Sequence, residues 1–161
     1  MYKADMDASK SNLSDKSGYS VGVIVATYNG EKYIEAQLRS LYEQTRLPDV
    51  ILVTDAGSSD STVDICEQFF GVAPGVELRI LTNGNTETAL GVVDNFEKGL
   101  NALDTDYIFF CDQDDVWMPD KLKVVAVVDQ LKDEDHFIPL ICYSNTILVD
   151  VNLGVIREAW D

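Results

Sequence analysis

Asp112-Gln113-Asp114-Asp115 places three carboxylates within four residues, directly after the apolar run Tyr107-Ile108-Phe109-Phe110-Cys111. Carboxylates so close repel one another, and the simplest relief is a divalent cation bound through hard oxygen ligands. An apolar run of this length, bounded by acids, reads as a buried strand whose C-terminal end opens into a polar cleft. The competing structural reading is an acidic helix start, favoured by the positive end of the next helix dipole. Asp120 already stands where such a start needs an acid.

Two other loops carry unusual residues. Thr27-Tyr28-Asn29-Gly30-Glu31 follows the apolar run 21–26 and precedes a helical pattern, so it can present free helix N–H groups. Asn29-Gly30 is equally a common turn. Asp55 ends the apolar run 50–54, and residues 57–61 make the turn after it. Serines there are good helix caps, which leaves Asp55 itself unexplained.

The elements that must position these loops follow from hydrophobic periodicity. Apolar runs at 21–26, 50–54 and 107–111 read as strands, those at 21–26 and 107–111 as buried ones, and residues 76–81 read as a further strand. Between them, Ile34, Leu38, Leu41 and Tyr42 recur at helical spacing, with charged and amide residues expected on the solvent side. Val63, Ile65, Cys66 and Phe69 mark a second helix and residues 89–103 a third. A fourth is expected to start near Pro119 and run through Leu122, Val125 and Val128. Residues 140–143 and 146–149 read as strands, and Asn152-Leu153-Gly154 as a hairpin turn. Strands alternating with helices at this spacing predict an α/β fold, an open, mostly parallel sheet with helices on both faces. Ligands of such sheets collect at the carboxyl ends of the strands, where all three loops lie. Residues 1–20 show no apolar period and are expected to be a disordered tail, leaving 21–161 as one domain.

Twelve basic against 28 acidic residues give a net charge of -16, which argues against binding nucleic acid or an anionic membrane surface. Cys66, Cys111 and Cys142 are scattered among apolar residues and read as small buried side chains, not a disulfide frame or zinc site. Neither a phosphate-binding Gly-rich loop ending in Gly-Lys-Ser/Thr nor a Gly-x-Gly-x-x-Gly follows the first strand. His136, the only histidine, sits in a charged run without an evident partner, so Ser-His-Asp chemistry is not expected. Asp112-x-Asp114-x-Val116 also fits the nucleophile loop of haloacid-dehalogenase-type phosphatases. That family, however, places the motif on its first strand and needs a downstream lysine and further acids.

The three loops together resemble the N-terminal half of family 2 glycosyltransferases with the GT-A fold. The matching segments are Val23-Ile24-Val25-Ala26-Thr27-Tyr28-Asn29-Gly30-Glu31, Thr54-Asp55-Ala56-Gly57-Ser58-Ser59-Asp60 and Phe110-Cys111-Asp112-Gln113-Asp114-Asp115-Val116-Trp117. The last segment is most similar to bacterial rhamnosyltransferases that build surface polysaccharides.

The resemblance implies a nucleotide-diphosphate sugar donor, a saccharide or lipid-linked acceptor, and Mn²⁺ or Mg²⁺ held by Asp114 with help from Asp112. It implies donor contacts from Ala26, Thr27, Tyr28, Glu31, Asp55, Asn95 and Asp112, with Tyr28 available for stacking and Asp55 for the base. Transfer would be inverting, through an oxocarbenium-like state. Where the family commonly has a second acid after Asp55, this chain has Ala56. The family's general base lies on a later segment, so these 161 residues are expected to be a donor-binding half. The alternative within the resemblance is a nucleotide-sugar-binding module without transfer activity. A cytoplasmic location, or the inner face of the membrane, follows for such an enzyme, and apolar surface left by a missing half is a route to self-association.

Overall fold

A computed structural model describes residues 18–83, 90–130, 141–142, 144, 146–150 and 152–158. The chain divides into two compact units, residues 1–130 and 131–161. In the first, β1 (Val21–Thr27), β2 (Val50–Asp55), β3 (Glu77–Thr82) and β4 (Tyr107–Asp112) form one parallel sheet in the order β3-β2-β1-β4. Every residue of β1 and β2 is buried, because helices cover both faces, and this is why they read as unbroken rather than alternating apolar runs.

Val21, Val23 and Val25 of β1 and Ile51 and Val53 of β2 share one core with α1 (Ile34–Tyr42), α2 (Thr62–Glu67) and α4 (Val124–Gln130). The opposite face takes α3 (Val92–Leu100), which lies so close that a Cβ on Gly99 would sit 2.5 Å from Ile24 Cγ2. Pairing Thr27 with Asp55 and Ala26 with Asp112 brings the ends of β1, β2 and β4 level. The three loops singled out by composition therefore open at one edge of the sheet.

Several local expectations are corrected. Tyr19 packs edge-on against Tyr107 and Ser20 donates to Asp106 Oδ2 from both N and Oγ, so order begins before residue 21; residues 1–17 lie outside the described set. The face of α1 expected to meet solvent is divided: Glu35 and Arg39 are exposed, but Gln37, Ser40 and Gln44 are buried. Pro119 opens no helix, since residues Lys121–Lys123 first form a 3-10 turn. The third helix is shorter than expected at both ends, and Ala89 lies outside the described residues.

In the second unit β5 (Ile147–Val149) and β6 (Val155–Glu158) pair antiparallel. Their connection contains the expected turn: Leu153 adopts φ 62°, and Asp150 Oδ1 accepts hydrogen bonds from the N–H groups of Asn152 and Gly154. The strand expected at 140–143 is not formed at Ile141 and Cys142, and its end residues lie outside the described set, as does His136. No helix among the described residues is long and apolar enough to cross a membrane.

Candidate functional site

A cleft of about 170 Å³ lies where the strand ends converge, lined by Ala26, Thr27, Tyr28, Ala56, Leu90, Val92, Asn95, Asp112, Gln113 and Asp114. It unites five of the predicted donor-binding residues, namely Ala26, Thr27, Tyr28, Asn95 and Asp112, with the predicted metal ligand Asp114. The two others, Asp55 and Glu31, are not among its lining residues.

Asp55 is only 1% exposed. Its Oδ1 accepts from Gly57 N at 3.0 Å and Ser58 N at 2.8 Å, and its Oδ2 from Thr27 Oγ1 at 2.9 Å and Ser58 Oγ at 2.5 Å. The carboxylate is thus consumed in folding the turn, in which Gly57 takes a left-handed φ of 104°. Sequence order hides this, because the last residue of a strand can point to either side of its end. Ala56, one residue on, is the position that faces the cleft.

Glu31 likewise serves the loops. Its Oε2 accepts from Ser61 N at 3.0 Å, while its own N–H donates to Asp60 Oδ2 at 3.1 Å. Asn29 N donates to Ser58 Oγ, Asn29 Oδ1 accepts from Ser59 N, and Gly30 N donates to Thr62 Oγ1, each at 2.8 Å. Asn29 holds φ 48°, a conformation that asparagine tolerates. At the start of α2 the N-cap residue Ser61 makes no side-chain cap bond, and it is Asp60 Oδ1 that accepts from Thr62 N at 3.0 Å. Hydrogen bonds from Thr62 and the Glu31 backbone outweigh the upward push of partial burial and hold the Asp60 carboxyl below the usual range.

Asn95, 2% exposed in the first turn of α3, donates from Nδ2 to Thr54 O at 2.7 Å and to Thr27 O at 3.4 Å. Both partners are carbonyls, so the amide cannot be turned around without opposing two acceptors, and its Oδ1 is left buried without a partner among the described residues. An unmet buried acceptor costs about 1–3 kcal/mol. A hydrogen-bond donor on a ligand would relieve it.

The acids behave as their crowding requires. Burial and then the charge of Asp114 raise the Asp112 carboxyl above its ordinary range. Asp115 is raised by burial and by both neighbouring acids, with Lys121 offsetting part of the effect. A cation between Asp112 and Asp114 would lower the electrostatic cost of keeping them ionised. No group of three or more His, Cys, Asp or Glu side chains is placed to hold a metal among the described residues. A metal at Asp112 and Asp114 would have to draw its remaining ligands from the oxygens of a bound molecule or water.

Gln113 was not singled out in the sequence. It lines the cleft between the two acids and grips the Tyr28 peptide: Tyr28 N donates to Oε1 at 2.9 Å, and Nε2 donates to Tyr28 O at 3.2 Å. Its signal was the single uncharged residue inside an acidic run, opposite a glycine in another loop.

The glycosyl transferase family 2 model matches residues 22–145, which contain all of these loops. The chain belongs to glycosyltransferase family 2. That membership leaves the phosphatase alternative without support. The dTDP-rhamnosyl transferase RfbG of Shigella flexneri is 38% identical over 127 residues, covering 77% of this chain and 41% of that protein. Among solved structures, S. aureus TarS 1–349 in complex with UDP superposes with a TM-score of 0.60 at 25% identity, covering 83% of this chain and 43% of that one. Glucosyl-3-phosphoglycerate synthase from Mycobacterium tuberculosis, in complex with Mn²⁺, UDP and glucosyl-3-phosphoglycerate, gives 0.50 at 26% identity, covering 72% of this chain and 40% of that one. The chain spans about two fifths of the length of such relatives.

Proposed function

We propose that the cleft binds a nucleotide-diphosphate sugar, and that the protein to which this chain corresponds transfers the sugar to an acceptor hydroxyl with inversion. The observation that carries this reading is the pair Asp112 and Asp114 in one cleft with Ala26, Thr27, Tyr28 and Asn95, at the strand ends of a family 2 chain. Asp112 and Asp114 would hold Mn²⁺ or Mg²⁺. When bound, that ion would neutralise the diphosphate and act as a Lewis acid on the leaving group.

The chain's own residues do the rest. Tyr28, 48% exposed at the cleft mouth, offers a ring face to the base. Asn95 Oδ1 accepts a hydrogen bond from a base or ribose donor. Ala26, Ala56, Leu90 and Val92 supply apolar walls that exclude water from the nucleoside. Similarity to RfbG favours dTDP-rhamnose as donor and a surface polysaccharide as product, with work at the inner face of the membrane on a saccharide or lipid-linked acceptor. Asp112 and Asp114 are committed to the ion, so neither is assigned to take the acceptor proton.

Calorimetry with dTDP-, UDP- and GDP-sugars, with and without Mn²⁺, tests the reading. Metal-dependent heats are expected, strongest for dTDP. Equal heats with and without metal would count against it, and binding without donor hydrolysis or transfer would leave a binding module.

A further inference from the structure

Gln113 bridges two walls of the cleft. Its amide makes a two-point pair with one peptide, accepting from Tyr28 N at 2.9 Å and donating to Tyr28 O at 3.2 Å. A single hydrogen bond would act as a hinge; a pair fixes both the position and the tilt of the peptide it holds. The donor and acceptor ends of the amide are assigned by their partners, since reversing it would set N–H against N–H and O against O. The fit also depends on Gly30: a Cβ there would lie 2.2 Å from Gln113 Oε1 and 2.6 Å from Cδ. Asn29, Gly30 and Glu31 are tied instead to residues 58–62, so within this loop Tyr28 is the residue bound to the acidic turn.

Gln113 is flanked by the two carboxylates assigned to the cation, and it reaches away from them to the residue assigned to the base. Asp112 and Asp114, separated in sequence by Gln113 alone and lining the same cleft, repel one another as like charges. A cation drawing on both narrows the conformations open to the turn between them, and the turn carries Gln113. What restricts Gln113 restricts the Tyr28 peptide. Ordering supplied in advance by one ligand need not be supplied by the next, which is positive coupling without a change of fold.

We propose that Gln113 is a positioning residue that couples the metal-binding acids to the nucleoside side of the cleft. A divalent cation at Asp112 and Asp114 then tightens the binding of a bare nucleoside, although a nucleoside has no phosphate to offer the ion. This rests on the donor-site reading above.

The test uses the full 161-residue chain and titrates thymidine and uridine, then dTDP and UDP, each with and without Mn²⁺. In the unaltered chain Mn²⁺ should improve nucleoside affinity about fivefold, the lower end of typical couplings. Gln113→Met keeps the side-chain length and loses both hydrogen bonds. Gly30→Ala evicts the amide without changing Gln113, and Gly30 has no left-handed φ that alanine would strain. Both should abolish the Mn²⁺-dependent gain for nucleosides, while Mn²⁺ affinity stays within about twofold and the thermal midpoint remains close to the parent's. The coupling is overturned if either folded variant keeps the gain, or if Mn²⁺ tightens dTDP in the unaltered chain but leaves thymidine unaffected. Absence of any nucleoside diphosphate binding, with or without Mn²⁺, would overturn the donor-site reading together with it.

Discussion

Ser40 Oγ accepts a hydrogen bond from the backbone N–H of Trp117 at 3.0 Å, joining the middle of α1 to the segment that leaves the acidic turn. It is one of a set. Gln37 Nε2 donates to Cys111 Sγ at 2.8 Å, Gln44 Nε2 to Met118 O at 2.8 Å, and Leu122 N to Gln44 Oε1 at 3.1 Å. Residues 113–120 lie in neither helix nor strand, so their buried backbone groups need side-chain partners. A polar stripe on α1, continued by Gln44 just past its C-terminal end, provides them.

Ser40→Ala should therefore destabilise the chain by about 1–3 kcal/mol, the cost of leaving the buried Trp117 N–H without an acceptor. Equilibrium urea unfolding at unchanged slope measures it. An effect below about 0.5 kcal/mol, as for an ordinary surface change, would mean that the stripe does not hold this segment.

β1 and β2 were legible because burial on both faces leaves an unbroken apolar run; β4 was placed within about a residue as well, but it is not the buried strand expected, since of its residues only Cys111 is buried. The stripe on α1 was not legible, because Gln37, Ser40 and Gln44 have the composition of a solvated face. Only the loop packed over them makes them interior. The same limit applied at the site. Asp112 and Asp114 drew notice through mutual repulsion, which is local, and both line the cleft, whereas the cleft's choice of Ala56 over Asp55 depends on which way the chain turns after β2. Gln113 was hidden because its partner, Tyr28, lies 85 positions away.

Asp55 offers a direct check of that assignment. Asp55→Asn keeps the shape and one acceptor oxygen but loses the charge that strengthens four hydrogen bonds. It should cost about 1–2 kcal/mol of stability, with the relative affinities for dTDP, UDP and GDP unchanged. A reordering of the three nucleotides at near-parental stability, read by calorimetry and urea unfolding together, would instead return Asp55 to the base.

Asp60 gives the loops an acid-sensitive component. Its folded carboxyl sits below the ordinary range, because burial is outweighed by hydrogen bonds from Thr62 and the Glu31 backbone. A depressed folded value means that this stability is present above the unfolded value and is lost as pH falls through the folded one. Asp60→Asn should flatten the fall in stability over roughly pH 5 to 2, with little change in its slope near neutrality. Urea midpoints across that range, parent against variant, would show parallel curves if the carboxylate contributed nothing.

The acids themselves predict a separation between folding and loading. Asp112 and Asp114 line an open cleft and are exposed, so the core does not depend on a cation between them. A chelator should leave the far-ultraviolet circular dichroism and thermal midpoint of the unloaded chain unchanged while abolishing metal-dependent binding of dTDP. Asp114→Ala removes one of the two carboxylates proposed to hold the ion without opening the core, so Mn²⁺ affinity should fall at least tenfold, about 1.4 kcal/mol. Asp112→Asn retains an oxygen ligand but neither the charge nor the repulsion, so a smaller loss is expected, with the midpoint equal to or above the parent's. Mn²⁺ titration by electron paramagnetic resonance ranks the two. Should Asp112→Asn abolish Mn²⁺ binding while Asp114→Ala spares it, the roles of the two acids would be reversed.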